Sequence, residues 1–255
     1  MSTAEKLDRL IADQLKPQLP CAVIGRQIMV LEQTGSTSDA ILQIASTRGP
    51  SSVPEGLVVF AEHQTAGRGQ RGNRWESTRG KGLWFSILAR PEIRIRDSGR
   101  LTIWAVEAIS DAIRAELGVE PVIKLPNDVQ LYGRKVGGVL VEMRAQKNGP
   151  HLAVVGVGIN VNQSRDDFSV ELQDRAISLA MALGRQVDRQ KFAVALLRNL
   201  DLAYREKFAK TAVVEGADLG SRVAHTALPR STPAATTSPA LTTTGDKRGA
   251  RFRTV

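Results

Sequence analysis

Two stretches of this chain carry side chains that could act on anions. "GRGQRGNRW", Gly67 to Trp75, sets Arg68, Arg71 and Arg74 among three glycines and ends on an indole. Arginine forks match phosphate and carboxylate oxygens. Glycines let a backbone close over a ligand, and Trp75 could stack on a purine or cap an apolar site. "KLPNDVQLYGRKVGGVLVE", Lys124 to Glu142, places Lys135 just before Gly137 and Gly138. A lysine there could neutralise charge developing on phosphate or carboxylate oxygens, and a ligand could lie flat on the glycines. Taken alone, Lys135 reads more simply as a solvated hairpin lysine. Asn127 and Asp128 could pair with backbone, hydrogen-bond a ligand or hold a cation. "GVGIN", Gly156 to Asn160, ends an apolar run on an amide, more often a bulge or turn than a ligand contact.

The glycines of the first stretch also spell G-x-G-x-x-G, and Glu92 falls near the acidic position of a dinucleotide fingerprint. That fingerprint needs the turn to open a helix whose N-terminus receives a pyrophosphate. "NRWESTRGKG" has no apolar stripe and too few residues before the next strand, so no such helix follows. A P-loop is excluded because G-x-x-x-x-G-K-[ST] occurs nowhere. What remains is an Arg/Gly loop between two strands.

The elements around these stretches read as follows. "EGLVVFAEHQ" is a strand entering the loop and "GLWFSILAR" a strand leaving it. "QIMVLEQTGST" is a strand running into Ser36-Thr37-Ser38-Asp39, which offers N-cap chemistry for a helix through "DAILQIAST". Leu101, Trp104, Ala105, Ala108, Ile109, Ala112 and Ile113 form one stripe of a helix reaching Leu117. "EPVIKLPND" is a strand ended by proline, "VQLYGRKVGGVLVEMRA" a hairpin around Tyr132-Gly133-Arg134, and "PHLAVVGVGINVN" another strand. Further helices are expected over 2–16, closed by Pro17 and Pro20, and over 171–183 and 188–208. Strands that come in hairpins rather than one per helix predict an α+β fold with a mixed, largely antiparallel sheet flanked by helices.

Composition sets outer bounds. The chain has 255 residues, 42% hydrophobic and 24% charged, ordinary for a globular protein. It has no apolar run long enough to span a membrane and no signal-peptide core at its start. Cys21 is the only cysteine, so no intrachain disulfide can form, and a cytoplasmic location is expected. His63, His151 and His225 lie too far apart for a zinc spacing. The net charge of +9 suggests nucleic acid, yet Arg222 to Val255 alone carries +5. From Thr226 to Gly245, 16 of 20 residues are Ser, Thr, Ala or Pro, a composition expected of a disordered tail.

"GSTS" at 35–38, "EHQTAGRGQRGNRW" at 62–75, "KLPNDVQLYGRKVGGVLVE" at 124–142 and "GVGIN" at 156–160 follow one another in an order that resembles the biotin–protein ligases. The resemblance covers roughly Val30 to Phe208. It implies a catalytic domain of the class II synthetase-like kind, here 26–212, behind a lead-in over 1–25. It also implies two steps, with biotin and Mg-ATP giving biotinyl-5′-AMP before a lysine of a biotin carboxyl carrier domain takes the biotin. By motif position, Ser36, Thr37 and Ser38 would meet the biotin head group, with Gln64 at the same end. Gly67, Arg68, Gly69 and Gln70 would close over biotin, Arg68 binding its carboxylate and then the adenylate phosphate. Trp75, Asn127 and Asn160 would serve the nucleotide, and Gly138 would pack under biotin. Lys135 and Arg68 would be the catalytic pair. Asp128 would hold Mg²⁺ or place the carrier lysine.

Gln70, Asn73 and Leu125 depart from the family pattern, which commonly has basic residues at the first two positions and tryptophan at the third. Ahead of the first strand, about 25 residues are too few for a helix-turn-helix, so a ligase without operator binding is expected, with a homodimer left open. The family's C-terminal SH3-like barrel is expected to be absent or degraded over 213–255, because "ADLGSRV" begins its pattern and the tail, as after a frame change, does not continue it. Two rivals remain: a lipoate or octanoate ligase or transferase of the same fold, and a nucleic-acid-binding module acting through the basic tail.

Overall fold

Strand alternation decides which face of the sheet is filled and which is left open. The computed structural model describes residues 8–20, 23–49, 52–146 and 150–208. In it β1 (Gln27–Leu31), β2 (Leu57–Ala61), β3 (Gly82–Ala89), β4 (Val122–Lys124), β5 (Asp128–Leu131), β6 (Arg134–Arg144) and β7 (Leu152–Asn160) form one sheet. Their order is β1-β2-β3-β7-β6-β5-β4, with β1 parallel to β2 and every other pair antiparallel. This is the mixed, largely antiparallel α+β sheet expected. Tyr132 and Gly133, both at positive φ (52° and 73°), make the two-residue turn joining β5 to β6.

On one face Val58 and Phe60 of β2, Leu83, Phe85 and Ile87 of β3, and Val155, Val157 and Ile159 of β7 join the main core. Helices α3 (Gly99–Leu117) and α5 (Arg189–Phe208) cover that face, and the whole expected stripe of α3 is buried. On the other face Leu57, Val59, Leu88, Leu152 and Val154 pack under Ile41 and Ala45 of α2 (Thr37–Arg48). Further along the same face the side chains shrink. Ser86 stands opposite Gly156, Trp84 opposite Gly158, and Gly158 opposite Gly138. A cleft begins where large side chains give way to glycine.

Two expected helices are shorter than their periodicity suggests. Among the described residues the N-terminal one is only α1, Ala12–Leu15, followed by a 3-10 turn at Lys16–Gln18 that contains Pro17. Asp8 and Leu10 cannot be helical because their backbone is engaged elsewhere: Asp8 O accepts from Arg189 (2.6 Å) and Leu10 N–H donates to Glu62 (2.8 Å). This lead-in belongs to the core, with Leu10, Leu15, Leu19 and Ile24 buried in it. The helix expected over 171–183 is reduced to α4, Leu179–Leu183, capped by Ser178 Oγ. The segment before it lies along β6 instead, with Lys135 N–H donating to Arg175 O (2.8 Å) and Ile177 N–H to Lys135 O (3.0 Å). A sheet edge outcompetes helical periodicity there. The tail over 213–255, where the barrel was expected to be missing, lies outside the described residues.

Candidate functional site

Parallel pairing carries past the ends of β1 and β2. Thr34 N–H bonds His63 O (3.1 Å) and Ala66 N–H bonds Gly35 O (2.8 Å), so "GSTS" and "EHQTAG" travel together. Ser36 stands at the N-cap of α2, but its side chain accepts no cap bond. The N–H of Thr37 goes to Gln64 Oε1 instead (2.9 Å). Thr37 Oγ1 and Ser38 Oγ lie 2.7 Å and 3.0 Å from Ser86 Oγ. Ser36, Thr37 and Ser38 are all buried, at 3%, 3% and 5% exposure, so this end of the cleft is a closed pocket of hydroxyls. Gln64 Nε2 donates onward to Ser77 Oγ (3.2 Å).

The Arg/Gly stretch is a loop with one 3-10 turn, Gln70–Gly72, and no α-helix, as its composition implied. Trp75 N–H donates to Gly67 O (2.9 Å) and Gly69 N–H to Asn73 O (2.7 Å), folding the loop onto itself. Gly67 is buried at this crossing and does not line the cleft. Arg68 reaches across the opening, Nη1 to Asp39 Oδ1 and Nη2 to Glu142 Oε2, each at 2.7 Å. Gly69 and Gln70 line the same opening. Trp75 lies flat over the glycine shelf. A Cβ on Gly158 would stand 2.5 Å from its ring, and one on Gly138 would stand 3.2 Å away. The indole N–H is buried there with no acceptor among the described residues. An orphaned donor costs about 1–3 kcal/mol.

Lys135 enters from β6 beneath the indole, with Nζ 5.2 Å from the ring centroid and 2.6 Å from Asp128 Oδ1. The lysine–aspartate contact is an ion pair without hydrogen-bond alignment, since Asp128 Oδ1 has no hydrogen-bonded partner. The register explains the meeting: Asp128, first in β5, pairs with Gly138, Lys135, second in β6, pairs with Gln130, and the shift at Val129/Gln130 leaves the two side chains diagonal across the hairpin. Asn127 Nδ2 donates to Val139 O (3.1 Å), and Val139 N–H returns to Asn127 O (3.0 Å). Asn160 is buried, donating to Ile177 O (3.2 Å) and accepting from Gln163 (3.1 Å).

Two chambers result. The first holds the hydroxyl pocket, Arg68, Gly69, Gln70 and the glycine shelf, and also Asn127, which was expected on the nucleotide side. The second holds Asp128, Asn160, Lys124, Arg175, Asn73 and Arg74. Trp75 and Lys135 line both, so they form the partition. With the ring on the shelf the first chamber has about 40 Å³ of free space, against about 550 Å³ in the second. A drug-sized ligand needs roughly 300 Å³ or more, so Trp75 and its loop must lift for the first chamber to take one.

The sequence reading missed four participants. Ser86 completes the hydroxyl cluster, and a serine inside an apolar strand was its available signal. Asp39 and Glu142 hold Arg68. Arg189, fully buried at the start of α5, binds Glu62 through Nη1 and Nη2 (2.8 and 2.7 Å) and also Gly82 O and Asp8 O. This hub joins the exit of β2, the start of β3 and the lead-in.

Residues 30–160 match the biotin/lipoate A/B protein ligase family. The chain is 35% identical over 202 residues to the bifunctional ligase/repressor BirA of Bacillus spizizenii, covering 79% of this chain and 61% of that protein. It is 35% identical over 192 residues to the biotin–[acetyl-CoA-carboxylase] ligase of Mycobacterium tuberculosis, covering 73% and 68%. The solved biotin protein ligase from Aquifex aeolicus in complex with biotin and ATP superposes with a TM-score of 0.61 at 29% identity, over 72% of this chain and 74% of that one. The chain spans about three fifths of the length of the bifunctional relatives.

Proposed function

The chain belongs to the biotin/lipoate A/B protein ligase family, and from that membership and the geometry of its cleft we propose that it is an ATP-dependent biotin–protein ligase. The observation that carries the reading is the partition: one lysine and one indole serve two chambers, as a reaction joining an acyl group to a nucleotide requires. Biotin occupies the first chamber and ATP the second. A carboxylate oxygen of biotin attacks the α-phosphorus, the bond to the bridging oxygen breaks, and pyrophosphate leaves. Lys135 sits where charge builds on the carboxylate and α-phosphate oxygens, and Asp128 positions its ammonium. In the second step the amine of a carrier lysine attacks the acyl carbon, a proton is lost and AMP departs. Orientation and fixed charge carry both steps.

Biotin is favoured over lipoate by the hydroxyl pocket. A ureido ring brings two N–H donors and a carbonyl acceptor, which Thr37, Ser38, Ser86 and Gln64 can match in either sense. A dithiolane or an alkyl end offers these groups no hydrogen bond in exchange for the water it displaces. Among the described residues no group of three or more His, Cys, Asp or Glu is suitably placed, and the cation beside Asp128 is Lys135. The magnesium of Mg-ATP enters this reading with the substrate, where one carboxylate beside the phosphates suffices, and Asp128, which borders the second chamber and pairs with Lys135, would be that carboxylate.

The acceptor in this reading is a biotin carboxyl carrier domain. Operator binding is left out of it. Exposed Val122 on the edge strand β4, Leu125 just past it and Tyr132 in the β5–β6 turn support a homodimer, which sedimentation velocity tests. No described helix is long and apolar enough to cross a membrane. The deciding experiment incubates the purified chain with ATP, a carrier domain, and either biotin or lipoate. Biotin transfer that requires ATP is expected, and lipoate transfer at an equal rate would overturn the assignment. Salt-dependent DNA binding lost on truncation at Arg222 would favour the nucleic-acid module.

A further inference from the structure

Arg68 has both ends of its fork engaged. Its Nη1 lies 2.7 Å from Asp39 on the first turn of α2, and its Nη2 lies 2.7 Å from Glu142 on β6. Neither carboxylate has another partner among the described residues. The cluster of one guanidinium and two carboxylates is net negative, at the mouth of a chamber read as taking an anion. Resting on that reading, we propose that Asp39 and Glu142 form a latch that competes with the substrate carboxylate for Arg68 and holds the Gly67–Trp75 loop across the first chamber.

Three features support competition rather than simple structural pairing. The pairs join three separate elements, so releasing them frees the loop without disturbing the sheet or the helix. All three side chains are partly exposed, at 39% for Arg68, 54% for Asp39 and 36% for Glu142, so water can replace each bond as it breaks. The loop they restrain also carries Trp75, whose ring fills the glycine shelf and leaves the chamber about 40 Å³. A carboxylate arriving at Arg68 supplies the fork with the chemistry it gives up, so exchange of partners lets the loop lift and reclose around the ligand. A neutral analogue offers the fork no charge in return. The latch therefore selects acids, and it taxes their affinity by the fraction of molecules in which it is closed.

The test is calorimetric binding of biotin and of biotinamide, in which an amide replaces the carboxylate, to the full chain and to Asp39→Asn and Glu142→Gln. Each substitution is expected to tighten biotin by about 1.4- to 5-fold, the range that an exposed ion pair supports. The ratio of biotin to biotinamide affinity should rise with it. In an Arg68→Gln background the same substitutions should change nothing, because the latch has no bolt. Unchanged or weaker biotin binding in both variants would overturn the proposal. So would equal tightening of acid and amide, or a gain that persists without Arg68, which would mark a general field effect. A wild-type chain that binds no biotin would remove the ligase reading and the latch with it. Binding that the variants leave unaltered removes the latch alone.

Discussion

Replacing Gly158 by alanine tests the shelf beneath Trp75. The new methyl would lie 2.5 Å from Cε2, 2.6 Å from Cζ2 and 2.8 Å from Nε1 of the indole. Carbon atoms rest about 3.5–4.0 Å apart, so something must move by about 1 Å. The strand cannot easily do so, because β7 is paired on both sides, Gly158 facing Trp84 on β3 and Gly138 on β6. The ring on its glycine-rich loop must yield instead. Overpacking of this kind costs about 1–3 kcal/mol. Because the ring also contacts Lys135 and walls both chambers, its displacement should act mainly on catalysis. A misplacement of about 1 Å can slow an oriented reaction by about 100-fold. We therefore expect kcat/KM for pyrophosphate release to fall by roughly 10- to 100-fold. The melting temperature should fall by about 2–12 °C, at about 2–4 °C per kcal/mol in a domain of this size. Gly156→Ala is the control, since the nearest atom to its methyl would be Ser38 Oγ at 3.1 Å, a milder approach than 2.5 Å, and it should cost less. A Gly158→Ala enzyme with wild-type kcat/KM would refute the partition.

Three further outcomes are expected. Lys135→Ala and Arg68→Ala should each lower adenylate formation by on the order of 100-fold or more, and pyrophosphate release at the wild-type rate in either would withdraw its catalytic role. Thr37→Val removes a hydroxyl bonded to Ser86 and Gln64, so KM for biotin should rise by about 3- to 10-fold while KM for ATP stays put; a parallel rise in both would place Thr37 outside the biotin end. Arg189→Met should lower unfolding free energy by about 3–5 kcal/mol in urea titrations, because Glu62 is left charged and buried, and a loss under 1 kcal/mol would mean that the pair is solvated.

Much of this fold was legible because its information is local. The stripe of α3 needs only an apolar residue every three or four positions, and all seven named positions are buried. The turn at Tyr132-Gly133 is likewise written in the residues that make it. Where the reading failed, distant partners were responsible. Nothing near residue 171 announces that Arg175 and Ile177 will be drawn to Lys135 some 40 positions earlier. Nor does "VDRQ" reveal that Arg189 ends up fully buried against Glu62, 127 residues away. In the candidate site the motif residues do converge, because the sheet brings together the turns leaving β1 and β2, the start of β6 and the glycines inside β6 and β7. Their alliances were not readable: Ser36 caps without bonding, Asn127 sits in the first chamber, and Arg68 already has two carboxylates.

The shared wall limits how this cleft could be re-engineered. Because the indole faces both compartments, trimming Trp75 to admit a bulkier acid would also reshape the compartment on its other side. Breadth toward one substrate and grip on the other would then be traded through a single side chain. The hydroxyl end carries no such coupling, since Ser36, Thr37, Ser38 and Gly156 border only the first compartment. A designer seeking a new acyl group should start there, where a change of shape reaches one reactant and spares the other.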